Sequence, residues 1–542
     1  MKESPKISRK TFVKYSLLAG AGVGLGSLWW SLSQRDKLPE WRVRMVDDQS
    51  KIGHKMRDGI VVVPTDVVEV PLLIVGAGVA GMTAAMHLSK SGYNDYTILE
   101  LGENFGGNAT AGANETGAYP WGAHYLPLPN LNQAELIDFL FESNIITGFD
   151  EHNLPIYDEV NICFDPEERL FIDGKWRDGM EPPSALSERD QAQLAAFHQL
   201  MESYKFSKGK DGKEAFCIPV HHSSKDELFL ALDKISMSEF CASKGFDSEY
   251  LNWYVNYACL DDYGADADTV SAWAGIHYFA SRKGKAANVK EGQCLTWPEG
   301  NNRLIQYLQK QIKGQALSHQ LVYRVNKVNK VYQTDVYDYK SNAYKRYQSA
   351  QIILALPHYV CKRIVSSALM PSESLEYHYY PWLVANMLVD ARKLNNSGAR
   401  LSWDNVVFGK SSLGYVNACH QHLNYTEHLL NLTFYQPIIK GQASESRQWA
   451  RNQTADDWKN NVLSELEMAH PDLKEAVIDM QCKLWGHAMI APTKGFISTK
   501  LNQTQILETG LYVAHSDQSG ISIFEEAFYH GIQAAKSALK NT

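Results

Sequence analysis

The chain has 542 residues, 44% hydrophobic and 21% charged, with 53 Lys plus Arg against 61 Asp plus Glu and a formal net charge of −8. A mean hydropathy of −0.32 excludes a polytopic membrane protein, and 11% aromatic residues exclude a disordered chain, which lacks the apolar surface to offset ordering entropy. A sequence pI near 6.1 without a long basic run argues against a nucleic-acid binder, which needs a clustered cationic face; a small-molecule partner is expected. The length implies two or more domains. The eight cysteines are scattered, with no CxxC pair, and read as buried apolar residues.

The N-terminus stands apart. Ser8-Arg9-Lys10-Thr11-Phe12-Val13-Lys14 precedes an apolar run from Tyr15 to Leu32, a charged n-region followed by a Gly/Ala/Leu-rich h-region. It resembles a twin-arginine export signal with Lys10 in place of the second arginine. Ser31-Leu32-Ser33 is a weak cleavage site, Trp29 and Trp30 suit a membrane interface, and about 18 apolar residues just span a bilayer. Residues 1–34 are therefore expected to be an export signal or a membrane anchor, with the protein periplasmic or facing the periplasm. Residues 35–67, charged and aperiodic, read as a linker or covering arm.

The strongest signal follows. An apolar run, Val68 to Val75, ends in Gly76-Ala77-Gly78-Val79-Ala80-Gly81 and leads into helix-forming residues Met82 to Ser91. Strand, glycine turn and helix form a dinucleotide-binding unit. Gly76 serves the tight turn, Gly78 lets the backbone approach a pyrophosphate, and Gly81, beside Ala80, lets the helix pack on the strand. The helix N-terminus then meets the phosphates. A second strand, Tyr96 to Leu99, ends in Glu100, roughly 20 residues beyond the glycines, where a carboxylate accepts bonds from a ribose hydroxyl.

A second glycine pair, in Glu100-Leu101-Gly102-Glu103-Asn104-Phe105-Gly106-Gly107-Asn108, resembles the turn after the ribose carboxylate in FAD-dependent flavin amine oxidases, phytoene-desaturase-like enzymes and protoporphyrinogen oxidases. In that superfamily the turn lies along the FAD pyrophosphate; Asn108 stands where Arg is common. Tyr119-Pro120-Trp121-Gly122-Ala123-His124-Tyr125 resembles the segment beside the isoalloxazine ring. Leu295 to Leu304 is similar to the entry into a helix that returns to the FAD domain, with Asn301 in place of a glycine. Val322 to Val328 resembles a strand that would put Val325 against the adenine, and Ala350 to Pro357 the strand that ends this insertion. Gly510 to Ala514, followed by His515-Ser516-Asp517-Gln518-Ser519-Gly520 and a helix from Ile521 to Leu539, resembles the final strand and helix. There Asp517 would meet the ribityl or pyrophosphate region, or cap the helix.

The resemblance implies an α/β fold: a discontinuous Rossmann-type FAD-binding domain (68–130, 285–370 and 480–542) with an inserted α+β substrate domain (131–284 and 371–479). Within the latter, Asp261 to Asp268 reads as a solvated acidic turn or as an attractor for a cationic amine. His221-His222 and Cys419-His420-Gln421-His422 have no second cluster at recognisable spacing, so no metal is expected. Trp485, in a stretch that leads back towards the flavin in that superfamily, reads as cavity wall or core. Where the amine oxidases carry a lysine on a substrate-domain strand, this chain offers Asn386. No catalytic base is named; His124, Asn386 and Trp485 are the cavity candidates. The resemblance implies an FAD-dependent oxidoreductase that removes a hydride equivalent from a small molecule, an amine foremost. The alternatives are a desaturase or isomerase of a hydrophobic substrate, and an FAD-binding subunit that serves a partner. The electron acceptor, oxygen or a quinone, stays open.

Overall fold

The computed structural model describes residues 41–46, 50–370, 375–394, 397–422, 428–502 and 508–541. The leader at 1–34 lies outside them. Among the described residues no helix is long and apolar enough to cross a membrane.

Two large sheets organise the α/β chain. In the first, Asp66–Val75 pairs in parallel with Tyr96–Leu99 on one side and with Ala343–Leu354 on the other. Gln315–Leu317 extends it in parallel beyond Tyr96–Leu99. The long strand Ala343–Leu354 takes the antiparallel pair Gln320–Val328 and Val331–Asp338 along its first half and Leu511–Val513, in parallel, along its end. Leu72, Leu73 and Ile74 are fully buried, as an apolar run without alternation requires of a strand covered on both faces. The helix Val79–Lys90 covers one face together with Phe524–Leu539.

The second sheet has eight strands, in the order Val43–Met45, Val477–Ala491, His378–Asp390, Leu429–Pro437, Tyr415–Asn417, Asp404–Val407, Glu168–Ile172 and Lys175–Asp178. One face packs on the helices 188–205, 237–243, 249–263 and 272–280. Two details differ from the sequence reading. Val477–Ala491 crosses the boundary expected at 480 and stays in this sheet throughout, because its pairing with His378–Asp390 continues from Val477 to Ala491. Residues 43–45, expected in a linker, form a parallel edge strand with Val43 opposite Met480. Trp41 and Val43 pack on the core beneath it, and Trp41 Nε1 donates to the Lys474 carbonyl at 3.0 Å.

The two nucleotide-sheet helices touch backbone to backbone. A Cβ at Gly531 would lie 2.4 Å from the Ala80 carbonyl oxygen. Gly531→Ala is therefore expected to destabilise the protein by about 1–3 kcal/mol in urea denaturation. Gly148→Ala, where nothing lies within 4 Å of the added atom, is expected to leave the midpoint nearly unmoved.

Candidate functional site

The glycine turn is built as its sequence requires. Gly76 has φ +99°, and a Cβ there would meet the Ala355 carbonyl at 2.3 Å; one at Gly81 would meet the Gly76 carbonyl at 2.0 Å. Gly78 caps the helix Val79–Lys90 without any side-chain hydrogen bond, and the first turn holds no acidic residue. Its leading N–H groups and positive dipole end are left for an anion. Glu100 clamps the turn: Oε2 accepts from Ala77 N–H and Oε1 from Gly102 N–H, each at 2.7 Å. The second glycine pair folds against the first, with Gly106 N–H donating to the Ala77 carbonyl at 2.8 Å and Gly78 bridged to Gly106. Gly106 and Gly107 have φ of +128° and +58°. Gly76, Gly78, Ala80, Gly81, Glu100, Gly106 and Gly107 thus form one continuous cradle.

From this cradle the chain runs into a cavity of about 130 Å³. Asn108, Gly122 and His124 border it from the nucleotide side, and Trp485 from the substrate sheet. Asn108 Nδ2 donates to the Ala488 carbonyl at 2.8 Å, tying the turn to that sheet. Gly122 admits no side chain, since its Cβ would lie 2.3 Å from the Asn108 carbonyl. The Gly122 carbonyl accepts the Tyr435 hydroxyl at 2.9 Å. His124 stacks on Tyr435 with ring centroids 4.5 Å apart, and burial lowers its pKa to about 4, so the imidazole is neutral at physiological pH. Trp485 Nε1 donates to the Trp121 carbonyl at 2.6 Å.

The sequence reading missed most of the charged wall. Asp261 and Asp262 are not a solvated turn: they lie in the last turn of the helix Glu249–Tyr263 and face the cavity. Tyr125 Oη donates to Asp261 Oδ2 at 3.1 Å. Arg282 Nη2 donates to Asp262 Oδ1 at 2.6 Å. Glu525, 4% exposed, enters from the second position of the C-terminal helix. Burial, with repulsion from Asp262, raises the Asp261 pKa to about 7. Burial raises that of Glu525 to about 7 as well. Three carboxyls therefore face one guanidinium. Asn301 completes the polar wall, with Nδ2 donating to the Tyr125 carbonyl at 2.9 Å and Oδ1 unpaired.

Three sequence candidates lie elsewhere. Asn386 is buried off the cavity, where Nδ2 donates to the Pro120 carbonyl at 3.1 Å and Oδ1 accepts from Thr433 Oγ1 at 2.6 Å. It shares the strand face of Trp382 and Val384, which line the cavity, but lies further along the strand, beyond the lining, where Thr433 and Pro120 hold its amide. The Asp517 carboxylate accepts the His358 N–H at 2.8 Å and the Tyr379 hydroxyl. It thereby serves the start of the helix His358–Ile364 and borders no part of the cavity. Val325 is fully buried, and its carbonyl accepts from Ser366 N–H at 3.0 Å.

Arg282→Met leaves Asp262 buried without its partner and is expected to destabilise the protein by about 3–5 kcal/mol. Adding Asp262→Asn is expected to restore part of this in the same denaturation assay.

Residues 74–140 match the family of NAD(P)-binding Rossmann-like domains. A search of curated proteins gives no match. Among solved structures the chain is similar to putrescine oxidase bound to putrescine, at 14% identity over 88% of this chain and 100% of that one, with a TM-score of 0.63. It is similar to cyclohexylamine oxidase from Brevibacterium oxydans IH-35A, at 14% identity over 88% and 99%, TM-score 0.62. It is also similar to a CLA-producing fatty acid isomerase from P. acnes, at 15% identity over 86% and 97%, TM-score 0.55. The chain thus carries a Rossmann-like nucleotide-binding domain within the fold that these oxidases and the isomerase share.

Proposed function

We propose that the protein is an FAD-dependent oxidoreductase that oxidises a cationic amine. The observation that carries this reading is the cavity beside the glycine cradle, in which Asp261, Asp262 and Glu525 face the single cation Arg282. The backbone of Gly78, Gly106 and Gly107 and the uncapped N-terminus of the helix Val79–Lys90 would hold the pyrophosphate, and Glu100 a ribose hydroxyl. FAD bound there would supply the electron sink that accepts the hydride equivalent.

The chain's own groups supply the rest. An ammonium entering the cavity neutralises a carboxyl that burial otherwise keeps from ionising. The rings of His124, Tyr125, Trp382 and Tyr435 exclude water around it. The ammonium must lose a proton before its α-carbon gives up a hydride equivalent. Asp261 and Glu525, with proton affinities near 7, are matched to take that proton at neutral pH.

The fold similarity to a fatty acid isomerase keeps an apolar substrate in view, but buried carboxyls would oppose an acyl chain and its carboxylate. A cofactor-carrying subunit without its own substrate has no need of a cavity lined by three carboxyls. The leader at 1–34 supports a periplasmic or periplasm-facing site of action, tested by cell fractionation.

FAD-loaded protein is expected to lose its visible flavin band when a cationic amine is added without oxygen, and to keep it with fatty acids. Amines stay protonated to about pH 10, whereas the cavity carboxyls ionise near 7. The apparent KM for an amine is therefore expected to fall as pH rises through about 7. The double variant Asp261→Asn/Glu525→Gln is expected to lose that inflection. A KM independent of pH in the parent enzyme would contradict the assignment.

A further inference from the structure

Two of the eight cysteines, far apart in the sequence, meet in the fold. Residues 162–163 bridge residues 294–295 in antiparallel fashion: Ile162 stands opposite Leu295, and Cys163 N–H donates to the Cys294 carbonyl at 2.9 Å. One step along an antiparallel pair advances one chain and retreats the other, so Cys163 stands directly opposite Cys294. Residues opposed in this way hold their Cα atoms about 4.5–5.5 Å apart, with both side chains on one face. A disulfide spans Cα separations of about 4.4–6.8 Å, so the bond can form here without moving either backbone. The thiols are already partners, the Cys163 side chain being hydrogen-bonded to that of Cys294. Among the described residues no other two cysteines face each other across paired strands.

The two sulfurs differ in access. Cys163 is fully buried in a cluster with Trp382, Trp403 and Tyr435, whereas Cys294 packs against the same cluster but is partly exposed. The neighbouring thiol and burial push the Cys163 pKa well up. Cys294 is therefore the thiol that reacts first. Its thiolate attacks a sulfur of an external disulfide, forms a mixed disulfide and releases one thiol. The Cys163 sulfur then gives up its proton, attacks Cys294 Sγ and expels the second thiol. Both cysteines are oxidised, and the external disulfide takes the two electrons and two protons and leaves as two thiols.

The position gives the bond a purpose. The strand Cys294–Thr296 pairs with Tyr125–Pro127, with Thr296 opposite Tyr125, and Tyr125 and Pro127 line the cavity. Between Cys163 and Cys294 run about 130 residues, which include the helices 188–205, 237–243, 249–263 and 272–280. That stretch carries Asp261, Asp262 and Arg282 to the cavity.

We propose that Cys163 and Cys294 form a disulfide, acquired by exchange with a disulfide of the compartment in which the protein works, that fastens this stretch at its base beside the cavity wall. A leader of the kind at 1–34 would deliver the chain to an oxidising compartment, where such bonds persist.

The test uses the full-length, FAD-loaded protein, purified reduced, freed of reductant and incubated with oxidised glutathione. It is then denatured, alkylated with iodoacetamide and weighed by mass spectrometry, and its peptides are mapped. Two of the eight cysteines are expected to escape alkylation, with the peptides that contain Cys163 and Cys294 linked to each other, and dithiothreitol is expected to restore both. The linked protein is expected to melt several degrees above the reduced one, because closing so long a loop restricts the unfolded chain. Cys294→Ser, or Cys163→Ala if that variant fails to fold, is expected to keep every remaining thiol and to gain no melting temperature on treatment. Full alkylation of the treated parent, glutathione held on Cys294 without resolution, or a link between any other two cysteines would overturn the proposal. An unchanged melting temperature in the linked protein would overturn its fastening role.

Discussion

Three carboxyl groups share one guanidinium in a space largely removed from water, and the character of the cavity follows from that imbalance. An isolated buried carboxylate is costly, so such groups pair, take up protons, or wait for a cation. Asp262 takes the first course through Arg282. Asp261 and Glu525 take the second until a ligand brings positive charge. A site of this kind discriminates by charge before shape, because a neutral or anionic guest relieves none of the cost.

Both sheets are needed to create the space. The nucleotide sheet delivers the glycine cradle, and the segment from Gly106 to Tyr125 carries the chain from the cradle to the cavity. Backbone contacts leave little freedom there: Asn108 is tied to Ala488, Asn301 to Tyr125, and Gly122 to Tyr435. The eight-stranded sheet supplies Trp382, Tyr435 and Trp485, and the helix Glu249–Tyr263 lays its acidic end across the opening. The C-terminal helix belongs to the nucleotide half but points Glu525 into the same space. The site is therefore made at the seam, where rings and carboxyls from distant parts of the sequence converge.

The nucleotide half was legible because its signals are local. Gly76, Gly78 and Gly81 answer steric demands met within the turn itself, and Glu100 bonds across to that turn from the next strand. The apolar strands were legible because sheets buried on both faces need uninterrupted apolar runs. The anionic wall was not legible. Four aspartates between positions 261 and 268 look like solvent-facing charge, and only tertiary packing reveals that the first two end a buried helix. A usable signal was present: Tyr254, Tyr257 and Asp261 recur at helical spacing and mark one face. Asn386 was misread for the complementary reason: a motif position does not fix how far along a strand the cavity reaches, and Thr433 and Pro120 take up its amide beyond the lining.

The most direct measurement is a crystal structure of the purified protein with its bound cofactor and a cationic amine. The expected result is a flavin whose pyrophosphate lies on Gly78, Gly106 and Gly107 and whose ring borders the cavity near Gly122, with one ammonium beside Asp261. A cavity occupied by an apolar chain, or a dinucleotide whose ring lies away from Asp261 and Glu525, would contradict it.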